Sequence, residues 1–391
     1  MSKRNSSGIV LGQPSWPIRT RRVEAFVTET GGHLGPVVFD RRGRKIEPLS
    51  VAPWALEKLD ASVPAILRVL RGDFFCLPFG GNNTPYRGER HPIHGETANS
   101  RWTFESLDRV DGGARLHLSL RTKIRRGRVD KFILAAGDHD AIYQRHVISG
   151  MSGGMCLGHH AMVRFGTDAK GSRDVGGTQA GIVSTSRFVH AQVFPRPVER
   201  PEERGYSMLK PGAVFKSLSR VPTVTGEVTD LSRYPARRGF EDIVMLVADD
   251  RLPFAWTAVT FPSRGYVWFA LKDPKVLRST VMWISNGGRH YPPWNGRHVN
   301  VMGLEEVTAN FHSGLAESVV PNPLSKRGIA TSVKLSPNVP FVVNYIFGVA
   351  RIGRGFDRVE KIVAEKNRAT LISTSGVTVK TQVNVSFLNA A

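Results

Sequence analysis

The chain has 391 residues, 41% of them hydrophobic and 22% charged, which is enough apolar side chain to build a core without a disulfide or metal staple. Lys and Arg outnumber Asp and Glu by 54 to 33, a net charge of +21, so anions are the partners that the chain attracts. The basic residues are nevertheless spread along the chain and do not interleave with stacking aromatics, which excludes a single-strand nucleic-acid groove from the expectation.

The two cysteines, Cys76 and Cys156, form no CxxC pair. They read as buried free thiols of a reducing compartment, with a disulfide between them as the alternative. No apolar h-region follows the polar start, and no apolar run reaches the ~18 residues that cross a membrane. The expectation is a cytoplasmic protein with no membrane partner, its oligomeric state left open.

In chain order, residues 1–20 are polar, contain Pro14 and Pro17, and read as a loose arm before a single domain over 21–391. Strand-like runs over 23–29 and 36–40 flank Gly31 and Gly32 as a hairpin. Further runs rich in Val, Ile, Phe, Tyr, Trp and Thr follow at 114–122, 131–135 and 141–149. The basic stretch 121–128 reads as two strand ends around a turn, a solvated face. Residues 195–240, with six prolines, read as long loops. Strands are expected again at 242–248, 254–261, 266–271, 280–285, 341–347 and 377–388. Phe356, Val359, Ile362 and Val363 recur at helical spacing, so 355–367 is expected to be a short helix. Many short strands with little helix predict an all-β fold, a large antiparallel β-sandwich.

Three segments carry chemistry. The first is an apolar strand at 72–79 running into Gly80-Gly81-Asn82-Asn83, followed by Arg90-His91-Pro92-Ile93-His94-Gly95-Glu96 and Arg101-Trp102. A flat indole with directional Asn and Arg donors suits a sugar ring, which has apolar faces and hydroxyl edges. The second is Gly158-His159-His160-Ala161-Met162, where a strand would send adjacent histidines to opposite faces. The one facing a cleft is a candidate general acid or base. The third runs from Trp283 through Arg289, Trp294 and Arg297 to Leu304-Glu305-Glu306-Val307-Thr308. An inward carboxylate there is costly unless paired or functional.

Together these segments resemble the aldose 1-epimerase, or galactose mutarotase-like, family over roughly residues 21–350. Gly31-Gly32-His33-Leu34 is similar to its first hairpin, and His94-Gly95 with Trp102 to its HG…W motif. His160 resembles its second histidine, and Leu304–Thr308 its LEP-x-T strand, which places Glu305 at the catalytic carboxylate. The chain departs from the pattern at Glu96, at Met162-Val163 and at Glu306. The resemblance implies a supersandwich fold and anomer interconversion of a sugar without metal or other cofactor. Glu305 would take the proton of the anomeric hydroxyl, His160 would protonate the ring oxygen, and His94 would hydrogen-bond the ring or open-chain oxygen. Arg87 or Arg101 would hold hydroxyl groups, Trp102 or Trp294 the ring face, and Asp242 is the candidate for the family's sugar-binding aspartate. Asn83 and Arg289 join the proposed substrate contacts.

Arg87, Arg90, Arg101, Arg289 and Arg297 all fall in these segments, so a phosphorylated or uronic sugar is an option beside a neutral one. Three rivals stand against the enzyme. One is a non-catalytic carbohydrate-binding protein on the same fold. Another is a metal enzyme using His91, His94, Glu96 and His159 or His160. The last is a nucleic-acid binder, motivated by charge alone and not expected.

Overall fold

The computed structural model describes residues 7–110, 112–166, 181–198, 206–235 and 237–390. The β-branched and aromatic runs form antiparallel strands, and two large sheets carry them. A nine-stranded sheet takes in, side by side, Ala255–Phe261, Tyr266–Lys272, Phe341–Arg351, Ala141–Ser149, Gly127–Ala135 and Gly113–Thr122. A seven-stranded sheet is ordered Phe188–Val193, Phe240–Ala248, Ser279–Asn286, Val301–Thr308, Leu157–His159 and Phe75–Cys76, with Ala161–Arg164 also paired to Val301–Thr308. Among the described residues the α-helices are Ala65–Arg68 and Leu315–Val319. The expected antiparallel β-sandwich is the observed architecture. No helix among the described residues is long and apolar enough to cross a membrane.

Period-2 alternation assigns each strand's side chains to layers. Along Phe341–Arg351, Tyr345, Phe347 and Val349 enter the main core between the two large sheets. Ile346 and Ala350 point the other way, into a second core. A three-stranded sheet, Val359–Glu365, Arg368–Ser373 and Thr378–Gln382, covers that second core with Val359, Ile362, Ala369 and Leu371. Both cysteines are buried and free.

Two expectations are corrected. The stretch read as a loose arm forms strands Gly8–Val10 and Gln13–Arg19, with Trp16 and Ile18 buried. The strand is paired by Gly8–Val10 only over residues 13–15, so Pro17 has a ladder partner, Phe26, on one side alone, which a proline tolerates. The stretch read as a helix is the strand Val359–Glu365. A register shift between Val359 and Lys361 inserts one residue, so Val359 and Ile362 share a buried face at a spacing that imitates a helix. The proline-rich stretch holds two-residue strands at Val221–Pro222, Val228–Thr229 and Arg233–Tyr234; residues 199–205 and 236 lie outside the described residues.

Candidate active site

The strand Val301–Thr308 is buried along its whole length, and strict alternation sends Glu305 and Glu306 to opposite faces. Gly158 lies opposite Val307 and Ala161 opposite Leu304, a register that sets His160 across from Glu305. Their side chains meet, with His160 Nε2 3.2 Å from Glu305 Oε1. Space for this carboxylate comes from Gly303: a Cβ there would sit 2.5 Å from Glu305 Oε1.

Aromatic rings fix the imidazoles. Phe74 stacks on His160 with centroids 4.5 Å apart, and His94 meets His160 edge-on at 4.9 Å. His94 has φ +57°, in the left-handed region, where the backbone turns to bring the ring into the site. Gly80 N–H donates to His94 Nδ1 at 3.3 Å, so the neutral ring carries its proton on Nε2 and acts as a donor.

These groups line a cavity of about 250 Å³. Its other walls include Ile66, Leu70, Ile93, Asn83, His312 and Tyr291. Trp283 and Trp294 form an aromatic wall, and the Arg289 guanidinium lies over both, 5.3 and 4.6 Å from their centroids. Behind this wall the fully buried Glu241 accepts hydrogen bonds from Trp283 Nε1 at 2.8 Å and Ser285 Oγ at 2.9 Å. Its carboxylate is also 3.9 Å from Arg289 Nε. The Trp283 ring is thus held from behind, with His298 stacked on it at 5.4 Å.

Burial sets the protonation of the pair. Desolvation pushes the Glu305 carboxyl well above the ordinary carboxylate range, and Arg289 pulls it only partly back. Desolvation likewise pushes His160 down to about 3 and His94 well below the usual imidazole range. Burial therefore favours the uncharged form of each partner, the protonated carboxyl and the neutral imidazole.

No protein-family model and no curated protein sequence matches the chain. Solved structures do match. A galactose mutarotase-like protein from Clostridium acetobutylicum superposes with a TM-score of 0.58 at 11% identity, over 89% of this chain and 98% of that one. An Escherichia coli K12 protein assigned as an aldose 1-epimerase gives 0.56 at 13% identity, over 87% of this chain and 100% of that one. A Salmonella typhimurium protein assigned as a mutarotase gives 0.53 at 11%, over 86% and 90%. The chain has the galactose mutarotase-like fold. At these identities the likeness is one of fold, and the site must be argued from its own residues.

Within that fold the structure gathers Glu305, His160, His94, Asn83, Arg289 and Trp294 around one cavity. It leaves four of the named residues elsewhere. Arg87 is exposed over the Tyr86 ring at 5.3 Å. Arg101 is exposed and pairs with Glu29 at 2.6 Å. Trp102 is buried, donates from Nε1 to the Thr97 carbonyl at 3.0 Å, and carries the Lys131 ammonium over its ring. Asp242 accepts from the Met208 and Leu209 amides; it lies opposite Ile284, whereas Glu241 opposite Ser285 faces the cavity side, a phase error of one residue. Arg297 pairs with Glu57, so of the five arginines only Arg289 lines the cavity. The residues weighed as metal ligands go to separate partners: His91 to Glu89, Glu96 to the Lys123 and Ile124 amides, His159 to Asp73.

Sequence reasoning missed Phe74, His312, Glu241 and the aliphatic wall from Ala65–Arg68. His312 follows Phe311 in a turn with φ +50°, seven positions beyond Glu305, and only the fold returns it to the cavity. Glu241 carried a signal, since a carboxylate inside a strand buried throughout must be paired.

Proposed function

We propose that the cavity binds a monosaccharide and that Glu305 and His160 interconvert its anomers by general acid–base ring opening. The observation that carries this reading is the buried contact of 3.2 Å between Glu305 Oε1 and His160 Nε2 beside an aromatic wall. The pair holds one proton. In the reacting form that proton resides on His160, and Glu305 is the base. Glu305 takes the anomeric O–H proton while His160 gives its proton to the ring oxygen, so the ring C–O bond breaks and an aldehyde forms. Rotation of that aldehyde and the reverse transfers close the other anomer. Both proton arrangements of the pair have the same net charge, so the switch needs no ion from solvent. His94 Nε2 is oriented as a donor toward the same space, and Trp283 and Trp294 offer apolar faces to the ring.

Among the described residues Arg289 is the arginine or lysine that lines the cavity, and its carboxylate neighbour Glu241 offsets part of its charge, which favours a neutral sugar over the anionic option. The test is NMR anomer exchange with glucose, galactose, glucose 6-phosphate and glucuronate. Catalysed exchange that disappears in Glu305→Gln is the expected result. Calorimetric binding of these sugars without accelerated exchange would instead assign the cavity to a carbohydrate-binding protein.

A further inference from the structure

A second concave surface shares no residue with the sugar cavity. It is an open groove of about 1150 Å³ where four segments meet: the turn 44–47, the end of Ala161–Arg164, the turn 262–266 and residues 352–354. Its scaffold is hydrogen-bonded in place. Ile352 N–H donates to the Gly265 carbonyl at 2.9 Å, and Arg164 N–H to Pro48 at 2.8 Å. Gly265, with φ +67°, lets Arg44 cross the turn, because a Cβ there would lie 2.5 Å from Arg44 Nη1.

The groove presents Arg44, Lys45, Arg164, Arg264 and Arg354 against one carboxylate, Glu47. Arg264 hydrogen-bonds the buried Tyr266 phenol. Among the described residues, Arg44, Lys45, Arg164 and Arg354 take part in no ion pair. Some surface arginines pair, Arg19 with Glu24, Arg128 with Asp130 and Arg251 with Asp249, and others such as Arg121 and Arg126 do not among the described residues; what marks the groove is that its unpaired cations converge in one concavity. Cations gathered in a concavity without counter-charge repel one another and favour a ligand that neutralises several at once.

The chemistry narrows that ligand. One exposed ion pair is worth about 0–1 kcal/mol, so a single charge would not be held. Four of the five cations are arginines, whose forks match phosphoryl oxygens. The aromatic ring of the lining, Tyr266, is buried and offers no stacking platform for bases. The open groove, at about 1150 Å³, is somewhat larger than the about 300–1,000 Å³ of typical small-molecule sites, so a ligand would fill part of it. We propose that this groove binds a compact small molecule carrying two or more phosphoryl groups.

The test is calorimetry of the full chain with inorganic tripolyphosphate at low salt. Saturable binding near one per chain is expected, weakened at least tenfold on going from about 20 to 200 mM salt. Arg164→Ser with Arg354→Ser, and separately Arg44→Ser with Lys45→Ser, should each weaken it at least tenfold. Arg121→Ser with Arg126→Ser, at a different basic turn, should leave it unchanged; melting curves report that each variant is folded. Absence of binding at low salt, or equal weakening by the Arg121/Arg126 pair, overturns the proposal. Tighter binding of duplex DNA than of tripolyphosphate, lost in the same groove variants, also overturns it in favour of a macromolecular polyanion.

Discussion

Glu305 and Glu306 are neighbours in one strand, both almost fully buried, yet their two faces are built in opposite ways. Glu306 faces the nine-stranded sheet, where Lys272 pairs with it and Thr257 donates to it at 2.7 Å, and Thr280 on the neighbouring strand of its own sheet donates at 2.7 Å as well. The Lys272 ammonium is itself completed by the Ser279 carbonyl at 2.7 Å. Glu305 faces the cavity with one imidazole beside it, and desolvation raises its carboxyl above the ordinary range. Burial alone therefore does not separate a carboxylate open to a ligand from one committed to the interior. Unspent hydrogen-bonding capacity aimed at a cavity does. The same contrast separates His160 from His159, which bonds Asp73 at 3.0 Å and stacks on Tyr345 between the sheets.

Four measurements probe this contrast. The largest effect expected is on the inter-sheet face. Glu306→Gln strands the Lys272 charge in the interior and should cost about 3–5 kcal/mol of stability, read from urea unfolding. Exchange per folded molecule should be unchanged. Loss of exchange at intact stability would reverse the roles of the two faces.

Next come Glu305→Gln and His160→Asn, each expected to slow anomer exchange on the order of 100-fold without a comparable loss of stability, since general acid–base assistance is removed and no inter-sheet partner is lost. Polarimetry on a sugar that the wild type accepts reads the first, and urea unfolding the second.

A smaller effect follows from protonation. The folded-state pKa of Glu305 lies above its ordinary value of 4.5, so the folded chain binds more protons than the unfolded one across that interval. Glu305 accordingly lowers stability as pH rises from 4.5 toward its folded-state value. Glu305→Gln should melt progressively higher relative to wild type over that window, and show no such trend below it. A constant difference from pH 4 to 8 would mean that the carboxyl is not desolvated. The smallest effect is that of Arg101→Ala, which removes an exposed guanidinium from the largely buried Glu29 while Ser7 still donates to Glu29 Oε1 at 2.7 Å. It should change stability by about 1 kcal/mol or less and exchange by less than about twofold.

Much of the fold was legible because a half-buried strand writes its layer assignment at period two. The expected runs at 141–149, 266–271 and 280–285 correspond to Ala141–Ser149, Tyr266–Lys272 and Ser279–Asn286. Glu305 and His160 were singled out together in the sequence from the order of the three segments, and the structure brings their side chains to 3.2 Å. What the sequence hid was non-local. The bulge after Val359 broke the alternation that marks a strand. Trp102 looked like a ring platform until its indole N–H was seen spent on a carbonyl. Asp242 and Glu241 differ by one position, and only strand register says which of them stands behind Trp283.

Arg71 gives the N-terminal hairpin a role that its composition conceals. This guanidinium is fully buried, and it donates to the carbonyls of Val10 at 2.9 Å, Leu11 at 3.0 Å and Val69 at 3.1 Å. Desolvation without a carboxylate pushes it down to about 10, still charged at neutral pH. Val10 and Leu11 thus cap an interior cation, and Leu70, the residue before Arg71, is a wall of the Glu305–His160 cavity. Displacing the Gly8–Val10 strand would uncap that charge and loosen the cavity wall from behind, so a change outside the cavity lining would register in ligand affinity.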